Sequence, residues 1–312
     1  MQRIGFVVIP GFQMMYFAAL SVFEFANFST GRPVYEIEVL SEHGGPVASS
    51  VGVPIDTKPF GDPAFDTLLV SGNMQISAAS PGLIDFVRRA QQSSRRIASI
   101  CTGAFVLAEA GILDGRRATT HWLTARELQR RHPKVKMEED RIFIVDGGVW
   151  TSAGMSAGID LALGMVEKDF GAELARSVAQ KLVLYHRRAG GQSQHSELLK
   201  LNPRSDRIQQ ALAYARQNLK AELSVKELAE AAHLSPRQFS RAFHAETGQS
   251  PAKAVENLRL EAARLMMEQG RHSIDVVASE SGFADRERMR RAFVRAFGQP
   301  PQAIRRTAQL GV

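Results

Sequence analysis

The chain has 312 residues, enough for about two domains, and its 44% hydrophobic and 23% charged composition is that of a globular protein. No stretch reaches the roughly 20 uncharged apolar residues that span a bilayer, and the single cysteine, Cys101, excludes an intramolecular disulfide and a multi-cysteine zinc site. The net charge of +7 is unevenly placed: residues 1–187 hold 19 basic and 19 acidic side chains, whereas residues 188–312 hold 20 and 13. The second region is therefore either a partner for a polyanion or a solvated basic face.

Met1–Pro10 has one arginine and a short apolar run without a small-residue cleavage site, so it reads as a first strand and not a signal peptide. The expected compartment is the cytoplasm. Strands are expected at Arg3–Ile9, Tyr35–Leu40, Thr67–Val70, Arg96–Ile100, Ile142–Val145 and Val149–Thr151, the last two flanking a turn at Asp146–Gly148. Helices are expected at Gln13–Phe28, Pro81–Gln92, Thr102–Ala110, Ser156–Phe170 and Glu173–His186. Strands alternating with helices predict an α/β region, a mostly parallel sheet flanked by helices, over residues 1–187. Residues 188–204 (RAGGQSQHSELLKLNPR) read as a polar linker, and from 205 to 312 the pattern is helical throughout.

That helical region repeats at an offset of 50 residues. Ser235, Phe239, Arg241, Ala242, Phe243, Gly248 and Pro251 correspond to Asp285, Met289, Arg291, Ala292, Phe293, Gly298 and Pro301. In the first copy Ser224-x-x-Glu227 is a capping box opening a helix over Val225–Ala232. His233-Leu234 makes a tight turn, and Ser235 caps a second helix with Pro236 in its first position. Phe239, Ala242 and Phe243 are expected inside, and Arg237, Ser240, Arg241 and His244 outside. In the second copy Ser273 and Asp285 are the caps, with Gly282 in the turn. Met289, Ala292, Phe293 and Ala296 are expected inside, and Arg286, Glu287, Arg288, Arg290 and Arg291 outside. Between the copies Ala252–Glu268 reads as one long helix with Val255, Leu258, Ala262 and Leu265 inward. Two short helices joined by a tight turn, the second basic on its outer side, make a helix-turn-helix, and the chain has two.

The stretch Arg207–Arg306 resembles the AraC/XylS family of transcription regulators. The resemblance rests on LSVKELAEAAHLSPRQFSRAFHAETGQSPAKAVENLRLEAARLMME and IDVVASESGFADRERMRRAFVRAFGQPPQAIRR. It departs from the family at Ala254 and Ile304, where an aromatic packing residue is usual. The resemblance implies that double-stranded DNA is read by Arg237, Ser240 and Arg241 of the first helix and by Arg286, Glu287, Arg290 and Arg291 of the second. Arginine pairs with guanine in the major groove, and glutamate accepts from cytosine. Arg288, Arg295, Arg305 and Arg306 are expected on phosphates.

Cys101 falls between the apolar strand Ile97–Ile100 and a helix, at an elbow where a helix N-terminus favours a thiolate. The place suits a nucleophile or a ligand pocket, although a buried structural cysteine is commoner. The surroundings, CTGAFVLAEAGILDGRRATTHW (101–122), TSAGMSAGIDLAL (151–163) and VIPGFQMMYFAALSVFEF (8–25), resemble the PfpI/ThiJ branch of the class I glutamine amidotransferase-like superfamily over most of residues 3–186. Isonitrile-hydratase-like proteins and the sensor domains fused to AraC-type regulators are the nearest members. Enzymes of that branch carry a carboxylate in the first helix. Tyr16 stands there instead, Glu24 is the nearest acid along that helix, and Thr102 rather than histidine follows the cysteine. His121 is expected to be structural. A cysteine without its acid loses proton handling, so the resemblance implies a retained pocket lined by Tyr16, Gly72, Asn73, Cys101, Thr102, Ser152 and Met155, with no catalytic residue, cofactor or metal. The expected protein is a DNA-binding regulator, by resemblance an activator of catabolic genes, that responds to a small polar metabolite. Its expected partners are DNA, that effector, RNA polymerase and a second copy of the chain. The alternative is a Cys101-dependent hydratase or amidase fused to a DNA-binding domain.

Overall fold

The structure, a computed structural model, describes the chain except residues 74, 185–187, 189, 191–193, 195–202, 204, 269–271 and 304–312. The chain divides into two compact units, Met1–Gln194 and His195–Leu310.

The first unit is built on an eight-stranded sheet. Its strands are β1 (Gln2–Val7), β2 (Tyr35–Ser41), β3 (His43–Ala48), β4 (Pro54–Pro59), β5 (Thr67–Val70), β6 (Arg96–Ile100), β9 (Phe143–Asp146) and β10 (Val149–Ser152). They lie in the order β3-β4-β2-β1-β5-β6-β10-β9, and β7 (Arg117–Ala118) and β8 (Lys136–Met137) form a separate parallel pair. The six inner strands are parallel, and an antiparallel hairpin closes each edge. All residues of β5 and β6 are buried. Strands covered on both faces require such continuous apolar runs.

Two cores sandwich the sheet. One gathers α1 (Ala18–Thr30), α5 (Ala157–Phe170) and α6 (Ala172–Lys181) around Phe6, Phe23, Ile100 and Leu161. The other gathers α2 (Pro81–Ser93), α3 (Gly103–Glu109) and α4 (Trp122–Arg131) around Leu68, Phe86, Phe105 and Leu128. At the edge where β6 begins, the Asp169 side chain is wholly buried between Arg96 (2.6 Å) and Arg95 (2.7 Å) and accepts from the Tyr35 hydroxyl at 2.9 Å. Burial works against ionising Asp169, but the hydrogen bonds from Arg96 and Arg95 outweigh it and hold the carboxyl below its ordinary range.

Several expectations need correcting. The helix expected over Gln13–Phe28 starts as a 3-10 turn, Met14–Phe17, and becomes α-helical only from Ala18. The last helix of the unit stops at Lys181, after which Val183 takes φ 56°; residues 185 and 186 of that expectation lie outside the described residues. The hairpin β3–β4 and helix α4 carry no apolar pattern that announces them. β3 and β4 are largely exposed edge strands, and β4 has proline at both ends. Helix α4 buries only Ala125 and Leu128.

The described part of the second unit is helical: α7 (Asp206–Gln217), α8 (Val225–Ala231), α9 (Pro236–Thr247), α10 (Pro251–Glu268), α11 (Ile274–Glu280) and α12 (Arg286–Phe297). The capping boxes Ser224/Glu227 and Ser235/Gln238 are both formed, and Ser273 and Asp285 cap α11 and α12. Each such cap contributes about 1 kcal/mol. Every copy of the repeat has its own core. Phe239, Phe243 and Leu228 pack with Ala254, Val255 and Leu258, and Met289, Ala292 and Phe293 pack with Leu260, Ala263 and Met267. Helix α10 thus serves one core with its first half and the other with its second, so the inward positions Ala262 and Leu265 are only half-buried. Ala296 is exposed, and Phe297, the next residue, packs against the second core instead. Ala254 is buried in the first core, and Ile304 lies outside the described residues. No described helix is long and apolar enough to cross a membrane.

Candidate ligand site and nucleic-acid interface

Because β1, β5, β6 and β10 run parallel, their C-terminal ends share one edge of the sheet. In α/β sheets that edge is where ligands bind. Cys101 directly follows β6 and takes φ 57°, a left-handed conformation that is strained for a side chain with a Cβ. Its neighbours hold it there. Cys101 N–H donates to the Ser152 carbonyl (3.0 Å), and the Thr120 hydroxyl donates to the Cys101 carbonyl (2.7 Å). The Thr102 hydroxyl donates to the Asn73 carbonyl at 2.7 Å. Two glycines make the packing possible: a Cβ on Gly72 would collide with the Thr102 hydroxyl, and one on Gly154 with the side chain of Cys101. Met155 follows in the left-handed region, φ 52°, and packs against the core that contains Cys101.

Tyr16 and Cys101 are 1% and 5% exposed, and the tyrosine hydroxyl donates to the sulfur. Burial pushes the Cys101 thiol up; the hydrogen bonds from Tyr16 and from the Thr102 backbone pull it down and do not prevail. Burial also pushes the Tyr16 phenol far up, helped by the charge that Cys101 would carry. Desolvation thus works against the thiolate expected at this elbow, and with both groups raised the pair at neutral pH is a protonated thiol beside a protonated phenol. Glu24, the nearest acid, about two turns further along the helix, is exposed.

Of the seven expected lining residues, hydrogen bonds and packing bring together Tyr16, Gly72, Asn73, Cys101 and Thr102, with Met155 beside Gly154. Ser152 is wholly buried and turns its hydroxyl to the Ser99 carbonyl (3.4 Å), so it serves the elbow through its backbone. Gly154 falls within the stretch from Ser152 to Met155 expected to line the pocket, whereas Thr120, inside the quoted motif that ends in TTHW, is a part of the elbow that was not singled out. His121 caps α4, its Nδ1 accepting from Leu123 N–H at 3.3 Å, as a structural residue does.

Residues expected in the linker are fastened to this unit. Arg188 bonds Asp160 through its backbone N–H (2.8 Å), Nε (2.9 Å) and Nη2 (2.7 Å), and reaches the Ser156 hydroxyl at 2.9 Å. The Gln194 amide donates to the carbonyls of Thr120 (2.9 Å) and Glu139 (2.8 Å). The rest of 188–204 lies outside the described residues, except Gly190 and Pro203.

In the second unit Arg237 and Arg241 of α9 and Arg286, Glu287, Arg290 and Arg291 of α12 are exposed, and Ser240 is half-buried. Glu287 and Arg290 face one another at 2.8 and 2.9 Å; the hydrogen bond from Arg290 draws the Glu287 carboxyl below its ordinary range. Arg295, expected on a phosphate, is paired with Glu256 of α10 at 2.8 Å. Arg288 lies 3.7 Å from its own cap, Asp285. Arg305 and Arg306 lie outside the described residues. The two helices are preceded by capped turns and present basic outer faces, the form in which a helix-turn-helix enters a major groove.

The comparisons with known proteins agree with both halves. The DJ-1/PfpI family model matches residues 3–168, and a helix-turn-helix domain model matches residues 228–307. The HTH-type transcriptional regulator GbdR of Pseudomonas aeruginosa is 31% identical over 316 aligned residues, covering 99% of this chain and 86% of that protein. An isonitrile hydratase of Pseudomonas putida is 30% identical over 184 residues, 58% of this chain and 77% of that enzyme. A crystal structure of an AraC family transcriptional regulator from Pseudomonas putida shares the fold, with a TM-score of 0.55 at 24% identity over 58% of this chain and 100% of that one. The chain belongs to the DNA-binding, AraC-type transcription regulators whose N-terminal half is a DJ-1/PfpI domain.

Proposed function

We propose that this regulator senses a small polar metabolite at the Cys101 elbow without turning it over, and that it activates catabolic genes. It acts in the cytoplasm, as a homodimer, together with RNA polymerase. Residues 1–187 sense, residues 188–204 join, and residues 205–312 bind DNA. The observation that carries the non-catalytic reading is the partner of Cys101: a protonated tyrosine stands where a carboxylate would manage protons, and the thiol is kept neutral. Tyr16, Gly72, Asn73, Cys101, Thr102, Ser152 and Met155 form the site. Two fastenings support a route from it to DNA. Thr120 bonds both Cys101 and Gln194, and Arg188 holds Ser156 and Asp160 in the first turn of the helix that follows Met155.

On DNA, α9 and α12 enter successive major grooves about 34 Å apart. Arg237, Ser240 and Arg241 read one half of an asymmetric site, and Arg286, Glu287, Arg290 and Arg291 the other. The test is a thermal-shift screen of polar metabolites against the full chain, with a turnover assay on isonitriles and amides alongside. A ligand that raises the melting temperature and is recovered unchanged supports sensing. Measurable turnover abolished by Cys101→Ser would make the first unit an enzyme, the reading that the strained elbow cysteine favours.

A further inference from the structure

Each helix-turn-helix copy has its own core, and the two cores divide at one position of α10: Leu258 belongs to the first and Leu260 to the second. Arg259 lies between them. Its guanidinium turns into the first copy, where Nε donates to the Leu219 carbonyl (3.1 Å) and Nη2 to the Ala221 carbonyl (2.6 Å), with Glu222 at 3.4 Å. These carbonyls belong to the turn between α7 and α8. From the second copy, Gly282 comes against the same place with φ 82°: a Cβ there would collide with the Leu219 carbonyl and lie 2.8 Å from Arg259 Nε. Lys220 and Glu280 pair across the same junction at 2.5 Å.

We propose that Arg259 and Gly282 clamp the two helix-turn-helix copies at one angle and separation, and thereby set the half-site spacing that the protein accepts on DNA. Both are positioning residues, since neither lies on α9 or α12. The inference rests on the reading that both of those helices enter DNA. Its physical basis is that the continuous helix α10 by itself is a weak ruler. A helix of 18 residues bends and twists under load, and among the described residues the two copies keep separate apolar cores. A guanidinium fork on three carbonyls of one turn, those of Leu219, Ala221 and Glu222, resists such bending, because its planar donors fix direction as well as distance. Glycine is needed at 282 for both its φ and its contact. A side chain there would push the second copy away from the first.

The experiment selects from a randomised duplex library with full-length wild type, Arg259→Met, Arg259→Lys and Gly282→Ala, and reads the distance between the two enriched motifs. Wild type is expected to enrich two motifs at one spacing. Arg259→Met should still enrich both, but its preference for the wild-type spacing over spacings one base pair longer or shorter should fall by about tenfold, the worth of a hydrogen bond to a charged group. Arg259→Lys should recover part of it, and Gly282→Ala should spread or shift the spacing in the same way. Circular dichroism checks that each variant is folded; if Arg259→Met is not, Gly282→Ala decides. Unchanged spacing in the folded variants, or equal loss of both motifs with the spacing kept, would overturn the clamp. If wild type enriches only one motif or none, the two-helix reading of DNA fails and the clamp falls with it.

Discussion

The two units use the same small devices under opposite conditions. Each has an ion pair, a glycine in the left-handed region and a charged or ionisable residue at its candidate site. In the first unit these lie inside: Asp169 against Arg96, Gly154 against Cys101, and the Cys101 thiol under Tyr16. In the second they lie in solvent: Glu287 with Arg290, Gly248 after α9, and the arginines of α9 and α12. Burial turns a device into a structural commitment, because charges lose their hydration and neighbours have no room to give way. Exposure leaves the same device free for a partner. This is why the elbow holds a neutral thiol, whereas α9 and α12 keep their charge.

The ion pairs are expected to show the widest contrast. Asp169→Asn should destabilise the first unit by about 3–5 kcal/mol, as removing one partner of a buried pair does. Glu287→Gln should leave the melting temperature unchanged. The pair also sets a pH dependence. Since the Asp169 carboxyl is held below its ordinary range, its contribution is complete above that range and is lost as pH falls through the folded-state value. Denaturant melts of wild type and Asp169→Asn should therefore converge towards acid pH. A constant difference down to pH 2 would show that the buried pair is not what separates the units.

The glycines give a matched comparison one step smaller. Gly154 (φ +83°) and Gly248 (φ +71°) both resist a Cβ on backbone grounds, but only at Gly154 does the added carbon meet another side chain. Gly248→Ala should cost about 1–2 kcal/mol, the left-handed penalty by itself. Gly154→Ala should cost about 2–5 kcal/mol, the same penalty plus overpacking of about 1–3 kcal/mol. Equal losses in chemical denaturation would mean that the elbow relaxes around the intruding carbon.

The arginines sharpen the functional side. Arg241→Ala and Arg291→Ala should each lose on the order of 1–3 kcal/mol of discrimination at one half of the bound site, with little change in melting. Competition with base-substituted duplexes checks this, and equal weakening on every sequence would make them phosphate contacts. At the elbow the corresponding change is chemical. Tyr16→Phe removes a bond that favours the thiolate, so alkylation of Cys101 should move to still higher pH than in wild type. Rapid alkylation of wild type at neutral pH would contradict a protonated thiol. Cys101→Ser, the smallest perturbation, should leave DNA binding intact and change only the response to effector.

What was legible in the sequence follows the same division. The second unit could be read residue by residue because its devices are local. Ser224 and Glu227, or Ser235 and Gln238, meet within one helical turn, and Phe239 and Phe243 share a face by periodicity. The reading slipped only where tertiary partners choose the face: Ala296 gives way to Phe297, and α10 is shared between two cores.

In the first unit, the inner strands β5 and β6 declared themselves as apolar runs because both their faces are covered. The edge hairpin β3–β4 did not, since an exposed strand needs no apolar pattern. The motif placed Cys101 at an elbow and Tyr16 in the acid's position. The left-handed strain at Cys101, its contact with Gly154 more than 50 residues away, and the fastening of Arg188 and Gln194 were decided by the tertiary structure alone. So was the protonation of the thiol. The sequence places a cysteine beside a helix N-terminus, which favours the thiolate; only folding buries it at 5% exposure, and desolvation there outweighs the hydrogen bonds from Tyr16 and Thr102 that pull its pKa down.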